Sequence, residues 1–310
     1  MNRDSETGFT IIELLLATAT LMVVMSAALT FFSRGQRVYT NERATLDMVQ
    51  DLRTTFDRFT NEIRMAGAGL PGFQGVVSGT ATQLIVRGDF SELTTFVRQN
   101  SGGGVLTVGT TSGFSVGQTL SLLNVDGRPP LTGYLAGVIT PRGAAALTKI
   151  SAINAVASTI TVGDLKAISP GATLDSFGPG AVVNVVERRT YNIFESGSNK
   201  GAITRTVAYE DAATLGATIQ AQEIIATNVL TTDQDGKDVV GLKFSYLNAA
   251  DQVLPIDPAT GLVDPNLVVK VAIELNARTA QRDLQNGEFR TLKLNALIQV
   301  RGQYVPAVGF

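Results

Sequence analysis

The chain is written in two periodicities. From Phe9 to Phe32 nearly every position is apolar, with Glu13 the one charge. The uncharged stretch Leu14–Ser33 is about 20 residues long, enough to span a bilayer core as a helix. Past it, Val49, Leu52, Phe56, Phe59, Ile63 and Ala66 recur at alternating spacings of three and four. That is one apolar stripe on a helix, with Arg53, Asp57, Arg58, Glu62 and Arg64 on the other faces. Arg53–Asp57 and Arg58–Glu62 are i,i+4 pairs that add tenths of a kcal/mol. No proline interrupts the run, so one helix of roughly 85 Å is predicted, with Gly35 its soft point. It should end near Gly67-Ala68-Gly69-Leu70-Pro71. A two-helix coiled coil is the rival reading of the stripe. It covers barely two and a half heptads, so packing on the chain's own sheet is preferred.

After Pro71 the period changes to two. Val240, Leu242, Phe244 and Tyr246 alternate with Val239, Gly241, Lys243 and Ser245; Val269, Val271, Ile273 and Leu275 alternate with Val268, Lys270, Ala272 and Glu274; Leu292, Leu294, Ala296, Ile298 and Val300 do the same. Three half-buried strands follow, joined by turns such as Asn286-Gly287. This antiparallel sheet should rest on the Val49–Ala66 stripe. Between them lies an internal repeat: Val105-Leu106-Thr107-Val108-Gly109 and Thr159-Ile160-Thr161-Val162-Gly163 are 54 residues apart. The same offset relates Phe114–Gly117 to Ile168–Gly171 and Thr119-Leu120 to Thr173-Leu174. Each copy reads as strand, turn, strand, and together they suggest a small β-barrel or second sheet. Two copies are too few for a solenoid. The fold class is therefore α+β: a long N-terminal helix, transmembrane in its first half and amphipathic in its second. It packs on an antiparallel sheet with an inserted β-rich subdomain.

Composition narrows the chemistry. The chain has 310 residues, enough for one large or two modest cores, and a formal net charge of −2 that offers no basic field for nucleic acid. Histidine and cysteine are both absent. That removes Ser-His-Asp and Cys-His catalysis and every His- or Cys-based zinc site, and makes an enzyme the weakest reading. Gly102-Gly103-Gly104 reads as a loop without phosphate-binding context, and Glu187-Arg188-Arg189 as an exposed strand-end charge cluster. Asp233, Asp235 and Asp238 resemble part of a calcium loop. Their default reading is an acidic turn, because strand residues stand where an EF-hand needs its glutamate.

Glu13 is the position that chemistry must explain. A lone carboxylate one turn into an apolar segment costs roughly 2–3 kcal/mol in lipid even on lenient scales. A signal peptide would show a clearer positive start and a small-residue cut site after a shorter apolar core. A cut between Gly8 and Phe9 would leave a free amine on Phe9. Glu13 of one subunit would then pair with that amine of a neighbour, unpaired alone and satisfied on assembly.

Gly8-Phe9-Thr10-Ile11-Ile12-Glu13-Leu14 resembles the class III signal of type IV prepilins and type II secretion pseudopilins. The resemblance implies cleavage after Gly8 by prepilin peptidase, N-methylation of Phe9 and a Glu13 contact to a neighbouring N-terminus. Glu62-Ile63-Arg64-Met65-Ala66-Gly67 resembles the helix end of PilW-type minor pilins, to which J-type pseudopilins are related. Gly241–Tyr246 resembles the C-terminal sheet of the same group. Two departures stand out. Thr30 lies where many major pilins carry a proline. The flanking Arg34 and Arg37 run against the positive-inside rule, which the motif overrides.

The implied organisation is a leader at 1–8, a transmembrane and filament-core helix at 9–33, and an amphipathic helix half at 34–68. A β-rich region at 69–209 and a C-terminal sheet at 210–310 complete it. The implied function is a minor pilin that primes or caps pilus assembly, from the inner membrane with its C-terminal part periplasmic. Its implied partners are other minor pilins, the major pilin, prepilin peptidase and the assembly platform. The alternatives are a type II secretion pseudopilin and a tip-displayed adhesin using Gly75–Tyr209. No cofactor is expected beyond the calcium reading.

Overall fold

The computed structural model describes residues 10–70, 75–100, 102–124, 145–167, 173–194, 201–210, 217–227, 229–230, 241–279 and 287–300. The chain divides into two compact units, Met1–Gln50 with Thr279–Arg290, and Asp51–Arg278 with Thr291–Phe310. Each is described by itself.

Helix α1 runs unbroken over Ile11–Met65, passing through Gly35 without interruption. Its 55 residues make about 82 Å at 1.5 Å each. It ends where the glycines predict. Gly67 and Gly69 both take left-handed φ values, of 86° and 72°. The N–H of Ala68 returns to the Met65 carbonyl at 2.9 Å, and that of Gly67 leaves the helix for the Arg87 carbonyl at 2.8 Å. From Asp51 to Met65 the buried positions of α1 are Leu52, Thr55, Phe59, Glu62 and Ile63, and Ala66 just past its end is buried too.

In the larger unit the strands are β1 (Val76–Gly79), β2 (Gln83–Gly88), β3 (Thr94–Asn100), β4 (Val105–Val108) and β5 (Thr119–Leu123). They continue as β6 (Ala145–Asn154), β7 (Thr159–Ala167), β8 (Val182–Ile193), β9 (Ile203–Glu210) and β10 (Ala217–Ala226). All pair antiparallel, and β8 organises them. Its second half lies between β2 and β9, giving a sheet in the order β1-β2-β8-β9-β10. Its first half lies between β3 and β5, and the pairings run on through β4, β7 and β6 back to β5. Six strands thus close into a ring, which leaves no edge to protect. The interior is apolar: Val97, Leu106, Leu120, Ile150, Ile160 and Val183 are all buried there, capped by Phe114 and Phe177.

The repeat explains the ring. Leu106 on β4 pairs with Ile160 on β7, its own counterpart 54 residues on. The flanking bonds are also counterparts, Val108 N–H to the Ser158 carbonyl at 2.9 Å and Val162 N–H to the Gly104 carbonyl at 2.8 Å. Gly104 and Ser158 both take positive φ, 83° and 52°. A local two-fold axis therefore passes between β4 and β7 and relates the β3–β4 hairpin to β6–β7. The second copy departs from expectation further on. Thr173-Leu174 starts a 3-10 turn (Leu174–Ser176) rather than a strand, and the strand begins only at Val182. That turn carries Phe177 into the ring interior.

The three C-terminal strands form as predicted: β11 (Leu242–Leu247), β12 (Lys270–Arg278) and β13 (Thr291–Gln299), in that order and fully in register. Leu242, Phe244, Tyr246, Val271, Ile273 and Leu275 are buried on one face. This sheet hooks onto the β1–β2 hairpin. The Tyr246 hydroxyl donates to the Thr80 and Gln83 carbonyls at 2.9 and 3.0 Å, and Phe244 N–H donates to the Ala81 carbonyl at 2.8 Å. Gly79 makes room for that ring, since a Cβ there would lie 2.2 Å from it. This part of the helix instead contacts the five-stranded sheet. The Phe59 ring packs on Tyr191 of β8 at 4.7 Å, and Thr55 Oγ1 donates to the Ile225 carbonyl of β10 at 2.6 Å.

Candidate assembly site and the charge cluster under the helix

Two places hold the residues that sequence and structure single out. The first is the N-terminal half of α1. Every side chain from Ile11 to Phe32 is exposed, including Ile11 at 81 % and Phe31 at 82 %. The segment is long and apolar enough to cross a membrane. A face of this kind is stable only against lipid or other apolar surfaces.

At its start Glu13 is held by Thr10. Glu13 Oε2 accepts from the Thr10 N–H at 3.0 Å and from its hydroxyl at 2.9 Å, while Thr10 Oγ1 lies 3.3 Å from the Glu13 N–H. This is a capping box, and Thr-x-x-Glu is its sequence signature. The carboxylate therefore has a local role within one chain, beside the contact to a neighbour that the sequence suggests. Gly8 and Phe9 lie outside the described residues, as do Asp233, Asp235 and Asp238 of the calcium reading. Among the described residues no group of three or more Asp or Glu is placed to hold a metal ion.

The second place is the opposite kind of environment. Glu62 faces the five-stranded sheet from α1, and three arginines converge on its carboxylate. Oε1 lies 2.7 Å from Arg189 Nη1 and 3.3 Å from Arg58 Nε, and Oε2 lies 3.2 Å from Arg205 Nε. The Arg205 contact is ionic in distance without an aligned hydrogen bond. The Tyr191 hydroxyl donates to the same Oε2. Arg189 also holds Glu187 Oε2 through Nη2 at 2.9 Å and Nε at 3.2 Å, and its guanidinium lies over the Phe90 ring at 4.2 Å. Glu223 of β10 closes the group, 2.7 Å from Arg58 Nη2 and bonded to Arg205. Three carboxylates face three guanidinia. Glu62, Glu187, Arg189 and Arg205 are buried; Arg58 and Glu223 are the half-exposed outer members.

Burying these charges costs several kcal/mol per ion, and the cluster survives because each carboxylate meets guanidinium N–H groups. Chemically it is a neutral joint between helix and sheet. Glu187 and Arg189 correct the sequence reading: they are buried mid-strand, not an exposed strand end. The signal was available. Val183, Val185, Glu187, Arg189, Tyr191 and Ile193 alternate along β8, so the two charges continue an inward-facing row.

No protein-family model matches the chain, and no curated protein or solved structure matches it significantly.

Proposed function

We propose that this chain is a minor pilin of a type IV pilus, cut between Gly8 and Phe9 and built by its N-terminal helix into a filament whose assembly it primes or caps. The observation that carries this reading is the uncovered apolar half of α1 with one carboxylate, Glu13, in its first turn. The leader-like residues before it and the PilW-like Glu62–Gly67 helix end support it. In this reading the apolar half of the helix lies in the inner membrane before assembly, with the chain after it periplasmic. The six-stranded ring is the inserted subdomain of the pilin head, held on β8. A second reading, a binding module displayed at the filament tip, is favoured by the ring's own closed core.

The test separates Glu13's two roles. Glu13→Gln keeps the capping box, because glutamine serves at that position, but removes the charge. Glu13→Ala removes both. Both precursors should still be cut, and both should be missing from sheared filaments while wild type is present. Normal recovery of Glu13→Gln would mean that capping alone is needed, and normal recovery of both would sink the assembly reading.

A further inference from the structure

The buried side of α1 is turned away from the centre of its apolar stripe. At 100° per residue, the stripe residues Leu52, Phe56, Phe59, Ile63 and Ala66 are centred roughly 30° away from the positions buried over the same stretch. The difference is visible in one pair. Thr55, a polar residue, is 3 % exposed, while Phe56 is only half-buried. Burying threonine in preference to phenylalanine forfeits apolar burial, so another interaction sets the rotation. Glu62 lies on the Thr55 side of the stripe, and turning the helix to centre the apolar residues would draw its carboxylate away from Arg189, Arg205 and Tyr191.

We propose that Glu62 is a positioning residue: its cluster sets the rotation of the second half of α1 on the sheet, against the apolar pattern. Hydrophobic contact is non-directional and tolerates a turn of this size, whereas two guanidinia and a phenol of the sheet on one carboxylate do not. The Thr55–Ile225 bond and the Arg58–Glu223 pair lie on the same side and hold the same rotation. Residues on the other side, Phe56 among them, are thereby left toward solvent. The inference stands whether or not the helix is built into a filament.

The chain has no cysteine, so single cysteines report cleanly. Thr55→Cys and Phe56→Cys are made separately in the full chain in detergent, and their rates with a soluble thiol reagent are compared. With the cluster intact, Phe56→Cys should react at least about tenfold faster than Thr55→Cys. The cluster is then replaced as a whole by Glu62→Leu, Glu187→Leu, Arg189→Met, Arg205→Met and Tyr191→Phe, which leaves no buried charge unpaired within it. The order of rates should reverse. An unchanged ratio in a replacement that still melts cooperatively overturns the proposal. If the replacement does not melt cooperatively, the ratio is read in Glu62→Gln instead. There a fall of several-fold supports the proposal, and an unchanged ratio overturns it.

Discussion

Strand β8 belongs to two constructions that solve the burial problem differently. Its first half closes a ring whose interior is apolar, filled by Val183 and Val185 with Leu106, Ile160 and Phe177. Its second half faces a helix through Glu187, Arg189 and Tyr191. In the ring, closure itself satisfies the backbone of every strand, so the side chains need only fill space. Between helix and sheet no shared backbone ladder exists, so orientation must come from side chains, and directional charge pairs supply it. Ring and joint should therefore fail differently: the ring by loss of volume, the joint by loss of a unique geometry.

The largest expected effect tests the ring. Phe177 is fully buried in its interior, and Phe177→Ala should cost about 3–5 kcal/mol through lost burial plus a cavity. Urea melts followed by circular dichroism suit a chain without tryptophan. A loss under about 1 kcal/mol would mean that the interior collapses freely and is not the tightly filled core described.

Next comes the internal symmetry. Gly104 and Ser158 hold equivalent positions with positive φ, but only one is glycine. Gly104→Ala adds a Cβ 2.7 Å from the Val162 carbonyl oxygen in a left-handed conformation, and should cost about 1–2 kcal/mol. Ser158→Gly should stabilise by up to about 1 kcal/mol, because glycine relieves a strain that serine bears. Opposite signs at the two sites are the mark of one backbone motif used twice. Equal losses at both would break the two-fold account of the ring.

How much of this could be read in the sequence follows the same division. The helix, its end at Gly67, and the faces of β11, β12 and β13 were legible because apolar periodicity states them directly. The repeat was legible as strings, Val105–Gly109 against Thr159–Gly163, but its meaning was not. Only the register shows Leu106 opposite Ile160. The Glu62 cluster was illegible as a cluster, since its members come from four elements and partner choice is tertiary. The sequence pairs Glu62 only with Arg58 at i,i+4, which forms at 3.3 Å and is the longest of its contacts. Thr10-x-x-Glu13 is legible as a cap, although the apolar run around Glu13 points to partners outside the chain.

The smallest effect lies at the seam of the two constructions. Asp89 follows β2 of the sheet and precedes β3 of the ring. Its N–H donates to the Ala68 carbonyl at 2.9 Å, and its carboxylate accepts from the N–H groups of Leu93 and Glu92 and weakly from Thr94 at 3.4 Å. Burial is the largest influence and raises its pKa above the ordinary carboxylate value, while those hydrogen bonds pull it down. A carboxyl raised in the folded state favours folding while protonated. That contribution is full below the unfolded value of about 3.9 and is lost as pH rises through the folded value. Asp89→Asn cannot ionise. Its melting temperature relative to wild type should therefore be least favourable at the acid end, rise as pH climbs from the unfolded carboxylate value through the higher folded one, and then level off. The level of the difference depends on how well asparagine keeps the bonds from Leu93 and Glu92, but its slope depends on ionisation alone. Thermal melts of both proteins from pH 3 to 7 measure that slope. A slope of the opposite sign would mean that the hydrogen bonds outweigh burial, and that the seam is built on a stabilised charge, like the helix joint, rather than on a buried neutral group, like the ring.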